Sequence, residues 1–161
     1  MHPVRKQNRL ADYDYSQPGA YFITVCTKDK ANILSTIVRG DAHIAPYTAL
    51  TSVGKVAEKY IKTIPGIDCY VIMPNHVHMI LCISAKDIKS GPVWEDAPTE
   101  ANIPSLVRSW KTLVSKETGK SIWHRTYCDH IVRDERDFRI RAQYIADNPA
   151  KWRDDDYYSN G

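Results

Sequence analysis

The sequence predicts an α+β fold, a sheet with helices packed on it, on the strength of three observations. Two apolar runs, residues 69–73 and 76–83, flank Pro74-Asn75 and read as a hairpin in the centre of a sheet. Two other stretches, 53–62 and 104–116, repeat their apolar residues at helical spacing. The hairpins lying between such elements break the strict strand-helix alternation of a parallel sheet, which favours the α+β class. At 161 residues the chain is expected to form one domain over positions 1–161, burying ~70% of the surface its unfolded form exposes.

Taken in order, Pro18-Gly19 marks a turn into Tyr21-Phe22-Ile23-Thr24-Val25-Cys26-Thr27, a first strand dense in β-formers. Residues 33–38 and 43–47 are expected to pair as a small hairpin across Arg39-Gly40-Asp41-Ala42. Thr51-Ser52 opens a helix with Val53, Val56, Ala57, Tyr60 and Ile61 on its apolar side, ended near Pro65-Gly66. In the next hairpin Val77, Met79, Leu81 and Ile83 share one face of the second strand. His76, His78, Ile80 and Cys82 share the other, because strand side chains alternate. Residues 85–103, with Gly91, Pro92 and Pro98, read as an irregular connection. Pro104 then starts a helix through Lys116 on a stripe of Leu106, Val107, Trp110, Leu113 and Val114. Residues 122–125 read as a turn and 127–133 as a strand. Asp134, supported by Asp137, is the N-cap of a last helix that runs to Asp147 before Pro149 stops it.

Cys26, Cys69, Cys82 and Cys128 are widely spaced with no Cys-x-x-Cys pair, and are expected to be buried free thiols in a reducing cytoplasm. No apolar h-region follows the N-terminal basic residues and no apolar run approaches the ~20 residues of a membrane helix, so a soluble protein with no membrane partner is expected. The balance of 22 Lys plus Arg against 19 Asp plus Glu leaves only +3. Its distribution is more informative. Arg108, Lys111, Lys116, Lys120 and Arg125 face a single acid, Glu117, between positions 103 and 125, a basic surface suited to a phosphate backbone and equally to a solvated helix face.

The chemistry concentrates in Met73-Pro74-Asn75-His76-Val77-His78 and Tyr144-Ile145-Ala146-Asp147-Asn148-Pro149. Two neutral imidazoles side by side on a strand make half of a metal site. A tyrosine on a helix is a candidate nucleophile, although Tyr60, Tyr127, Tyr157 and Tyr158 compete with Tyr144 and spacing does not choose among them. Asn148 stands one helical turn beyond Tyr144, where its amide oxygen could reach the same ion, with Asp147 as a second choice. Two nitrogens and one amide oxygen suit Mg2+ or Mn2+. A divalent ion beside a phenol would permit attack on a phosphodiester, with a phosphotyrosine left on the DNA 5′ end and a free 3′-hydroxyl.

At these residues the chain resembles the single-tyrosine HUH transposases and, within them, the REP-associated tyrosine transposases. The resemblance is carried by Arg5-Lys6-Gln7-Asn8-Arg9-Leu10, Tyr13-Asp14-Tyr15, Pro18 to Thr24, Val71 to His78, the stretch 123–133, Tyr144-Ile145, Asn148-Pro149 and Trp152, nearly end to end. It implies a ferredoxin-like antiparallel sheet of the HUH-endonuclease type, His76 and His78 as metal ligands, and Tyr144 as nucleophile, beside which Asn148 is the third ligand expected from its place one turn after the tyrosine. It further implies a cytoplasmic, nucleoid-associated enzyme that cleaves and rejoins single-stranded DNA beside imperfect hairpins, as a monomer or homodimer. Arg5, Lys6 and Arg9 would contact the cleaved sequence, with Arg108, Lys111 and Lys116 on the backbone. Related insertion-sequence transposases carry Gln where this chain has Asn148, a shorter amide. The alternatives are a domesticated hairpin-binding protein without cleavage activity, and a zinc protein using the histidines with Cys82.

Overall fold

A computed structural model of the chain describes residues 19–83 and 102–160. In chain order these hold β1 (Gly19–Thr27), β2 (Ser35–Val38), β3 (Tyr47–Leu50), α1 (Ser52–Ile61), β4 (Ile67–Ile72), β5 (His76–Ile83), α2 (Ile103–Thr118), β6 (Trp123–Val132) and α3 (Glu135–Asp147). Two short 3-10 turns, Lys28–Lys30 and Trp152–Asp154, complete the set. The main sheet is antiparallel with order β4-β5-β1-β6, and β2 pairs β3 as a separate ribbon. With that ribbon set aside, the order β1-α1-β4-β5-α2-β6 is the split βαβ arrangement of ferredoxin-like folds. The α3 helix is an addition to it.

Local chemistry fixes the helix ends. The Thr51 hydroxyl accepts from Gly54 N at 3.1 Å while donating to the Ile33 carbonyl at 2.6 Å, which ties the start of α1 to the preceding chain. Gly54 is required there, because a Cβ would lie 1.9 Å from the Leu34 carbonyl oxygen. Asn102 accepts from Ser105 N at 2.9 Å to open α2, and Gly119, at φ 70°, closes it in the left-handed conformation. The Asp134 carboxylate caps α3 through Asp137 N at 2.8 Å, as the sequence predicts.

The two faces of the sheet are covered differently. Tyr21, Ile23 and Val25 from β1 join Val77, Met79 and Leu81 from β5 beneath α1 and α2, where Ile61, Leu106, Val107 and Trp110 close the main core. The Trp110 indole donates to the Ala57 carbonyl at 3.1 Å, and Trp123 packs on it at 4.7 Å, so both rings are largely buried. On the opposite face Phe22, Ile80 and Ile145 form a smaller cluster beneath α3. Since His76 and His78 alternate with Val77 and Met79, they must emerge on this second face.

Several expectations need correction. The second strand of the ribbon is 47–50, not 43–47, because the Asp41 carboxylate turns the backbone at His43 N (3.0 Å) and Pro46 has no N–H for a ladder. Positions 122–125 are not a turn: Lys28 N bonds the Ile122 carbonyl at 2.8 Å and Trp123 pairs with Thr27, so β6 begins at Trp123. Only β5 of its hairpin is central, β4 being an edge. The cysteines are unpaired but not buried, since Cys26, Cys69 and Cys82 are half-buried and Cys128 is exposed. Arg5, Lys6, Arg9 and nearly all of the 85–103 connection lie outside the described residues, although Ile103 already belongs to α2. No helix among the described residues is long and apolar enough to cross a membrane.

Candidate metal and nucleophile site

Strand β5 sets His76 opposite Cys26 and His78 opposite Thr24, with the imidazole centroids 4.5 Å apart. The rings are 0% and 1% exposed, so their hydrogen bonds decide their chemistry. Asn75 Nδ2 donates to the Tyr157 carbonyl at 2.7 Å, which turns Asn75 Oδ1 toward His76 Nδ1 at 2.8 Å. An amide oxygen only accepts, so Nδ1 carries the His76 proton and Nε2 keeps its lone pair. Thr24 Oγ1 holds His78 Nδ1 at 2.8 Å, an equivalent arrangement when the hydroxyl accepts. Both Nε2 atoms are buried without a hydrogen-bond partner. Burial disfavours their charged forms, lowering His76 to about 4 and His78 well below its usual value, so both are neutral at pH 7.

The α3 helix is anchored by Ile145 against Phe22 and Ile80, and this brings its last turn over the histidines. The Tyr144 ring sits 5.2 Å from that of His78 and remains 38% exposed, open to a ligand from solvent. Asn148 is 2% exposed. Its Nδ2 donates back to the Tyr144 carbonyl at 3.4 Å, which leaves Oδ1 buried and unpartnered. The amide favours the charged form of both the His76 imidazole and the Tyr144 phenol, in each case by less than burial disfavours it. Burial, followed by the Asp155 charge, raises the Tyr144 pKa above its ordinary value, against a smaller lowering from Asn148. Asp147 turns away, bonded to Gln143 Nε2 at 2.8 Å and 3.8 Å from Lys151 Nζ. The other tyrosines divide clearly. Tyr60 donates to Glu117 on the far side and Tyr127 is in the main core, whereas the Tyr157 ring lies 4.6 Å from that of His76.

A residue absent from the sequence reading joins this set. Asp155 follows the 3-10 turn at Trp152–Asp154, and its Oδ2 lies 3.8 Å from His76 Nε2 with its side chain 2% exposed. Ligand atoms of His76, His78 and Asp155 all fall within 4.8 Å of one another. The sequence shows Asp155 only as the middle of an acidic run, Asp154-Asp155-Asp156, in which nothing marks one member as interior. Burial raises its pKa. The donor set fits a hard divalent cation, because His76, His78 and Asp155 bring ligand atoms together while His76 Nε2, His78 Nε2 and Asn148 Oδ1 are buried with no hydrogen-bond partner.

No protein-family model matches the chain. It is 30% identical, over an alignment of 174 positions, to an uncharacterized protein of Haemophilus influenzae, spanning 96% of this chain and 93% of that one, and belongs to the same family. A second protein of that organism, provisionally assigned as a REP-associated tyrosine transposase, is 23% identical over 140 positions, with 86% of this chain and 74% of that one covered. The solved structure of a REP-associated tyrosine transposase bound to a REP hairpin has the same fold, at a TM-score of 0.58 and 20% identity, over 88% of this chain and 74% of that one. This chain is a relative of the REP-associated tyrosine transposases.

In this relative of those transposases the predicted basic residues divide from the histidine site. Arg108, Lys111, Lys116, Lys120 and Arg125 line a cleft of about 630 Å³ between α2 and the start of β6. Lys111 Nζ donates to the His124 carbonyl at 2.7 Å, and burial lowers its pKa. The α2 helix covers the main core, whereas α3 and the histidines occupy the opposite face, so the sheet separates cleft from site. His130 is 2.8 Å from the Asp137 carboxylate, which holds Asp137 down to about 2 and links β6 to the first turn of α3.

Proposed function

We propose that this chain is a divalent-metal-dependent single-strand DNA endonuclease and strand transferase that acts beside hairpins through a 5′-phosphotyrosine on Tyr144. One relative, 23% identical, is provisionally assigned as a REP-associated tyrosine transposase, and the solved neighbour is bound to a REP hairpin. The observation that carries the reading is the meeting, from two elements, of a half-exposed phenol with two buried imidazoles whose Nε2 atoms have no hydrogen-bond partner, the Tyr144 and His78 rings lying 5.2 Å apart. His76, His78 and Asn148 would hold the ion, Mg2+ or Mn2+, which supplies charge neutralisation at the phosphate when bound.

The chain's own groups do the rest. Tyr144 Oη forms a bond to phosphorus as the P–O3′ bond breaks. The phenolic proton leaves to solvent, which reaches the ring, and the departing 3′-oxygen takes up a proton. Because α3 is held on the sheet by Ile145, the phenol is aimed by packing and little orientation remains to be achieved on binding. The phosphotyrosine retains the energy of the broken phosphodiester, so a second 3′-hydroxyl reverses the step and strands are exchanged rather than degraded. Arg108, Lys111 and Lys116 would track the backbone from the cleft, with Arg5, Lys6 and Arg9 on the flanking sequence. Tyr144 lies against its own chain's His78, and if it serves those histidines in cleavage a monomer suffices, whereas exchange of α3 between two chains would demand a dimer.

The test is incubation of the purified chain with end-labelled single-stranded hairpin oligonucleotides from its source genome. Cleavage in Mg2+ or Mn2+, absent in EDTA and in His76→Ala and His78→Ala, is expected. Cleavage that survives EDTA contradicts the metal assignment, and DNA binding without cleavage supports a hairpin-binding protein instead.

A further inference from the structure

We infer that Asp155 is a ligand of the same metal centre, so that the C-terminal segment after α3 is part of the site. This rests on the metal reading above and deepens it. Two acceptors face each other at this centre. His76 Nε2 bears a lone pair, because Nδ1 gives its proton to Asn75, and Asp155 Oδ2 faces it at 3.8 Å. That separation is too long for a hydrogen bond and within the roughly 4.2 Å that two ligand atoms each about 2.1 Å from one ion can span. A cation between the two relieves the conflict.

The carboxylate is placed there by packing and not by chance contact. Trp152 is 8% exposed with its ring 5.9 Å from that of His76, and the Tyr157 ring lies 4.6 Å away on the other side of Asp155 in sequence. Tyr157 N donates to Asp155 Oδ1 at 2.8 Å, which occupies that oxygen and leaves Oδ2 for the centre. The Tyr157 carbonyl accepts from Asn75, the residue that also orients His76, so one side chain sets both a histidine and the segment bearing the acid. Two imidazole nitrogens, one amide oxygen and one carboxylate oxygen form a harder, more negative donor set than the histidines with Asn148 alone. Such a set favours Mn2+ or Mg2+ over softer ions.

The experiment is calorimetric titration of the metal-free full chain with Mn2+, with the free ion also followed by electron paramagnetic resonance. Wild type, Asp155→Asn, Asp155→Ala and His76→Gln are compared, each first checked for cooperative thermal unfolding. Both Asp155 variants are expected to bind Mn2+ at least about tenfold more weakly, the minimum loss usual when a metal centre's supporting groups are removed. A smaller loss in a folded Asp155 variant, with His76→Gln still defective, overturns the ligand assignment alone. Mn2+ affinity unchanged in His76→Gln as well overturns the metal reading on which it rests.

Discussion

Burying two neutral imidazoles has a cost that appears when the metal-free protein is acidified. Unfolded, each histidine titrates near 6.5; folded, His76 is held to about 4 and His78 is also lowered, both by desolvation. Above pH 6.5 neither state binds the proton and stability is full. As pH falls toward 4 the unfolded chain takes up protons that the folded chain refuses, so stability is lost over that window and levels off below it. For His76 the displacement from 6.5 to about 4 corresponds to about 3 kcal/mol at pH 4. At roughly 2–4 °C per kcal/mol for a chain of this size, that is a fall in Tm of about 6–12 °C, with His78 adding to it. Asp155 opposes the trend, because burial raises its pKa and acid therefore favours its folded form. One carboxyl against two imidazoles leaves the net sign unchanged. Asp137 titrates below the window, near 2. The assay is differential scanning calorimetry in EDTA from pH 8 to 4, on wild type and the His76→Gln/His78→Gln double variant. A wild-type Tm that is flat from pH 7 to 4.5, or that falls in parallel with the double variant, refutes the reasoning.

Three further outcomes follow from the geometry. Asn75→Leu removes the acceptor for His76 Nδ1 and the donor to the Tyr157 carbonyl, so Mn2+ affinity is expected to fall about 10–100-fold by calorimetry. Arg108→Ala with Lys116→Ala strips two charges from the cleft. It is expected to weaken hairpin binding in fluorescence anisotropy and to lower the slope of log K against log salt by about 1–2, with little effect on Mn2+ binding. Gly66→Ala forces a side chain onto a residue at φ +79°, with its Cβ 2.1 Å from the Cys82 carbonyl oxygen, and is expected to destabilise by about 1–3 kcal/mol in denaturant unfolding.

The sequence was most legible where periodicity is strong. The alternation through His76 to Ile83 specified which face the histidines share, and the register beside β1 and the cover by α3 agree with it. The helical stripe of α2 and the Asp134 cap were equally readable, since burial and capping leave fixed spacings. Legibility failed at edges and in segments without period. Trp123-His124-Arg125-Thr126 looks polar because β6 is an edge strand with exposed positions, and only its pairing to β1 reveals it. Asp155 lies beyond the last periodic element, and its burial depends on Trp152 and Tyr157 folding back, a long-range packing event that no local pattern encodes. Thr24 was legible only as a β-former; its bond to His78 exists because the β1–β5 register puts the two opposite each other. Tyr144 and Tyr157 are indistinguishable by spacing, and exposure separates them only after α3 is docked.

The central claim is that Tyr144 becomes covalently joined to DNA. The direct measurement is a denaturing protein gel of the chain incubated with Mn2+ and a hairpin oligonucleotide labelled on the 3′ side of the cleavage point, followed by peptide mass spectrometry of the shifted band. A labelled adduct on the Tyr144 peptide, absent in Tyr144→Phe while that variant still binds the hairpin, is the predicted result. An adduct that persists in Tyr144→Phe, or that maps to Tyr157, contradicts it.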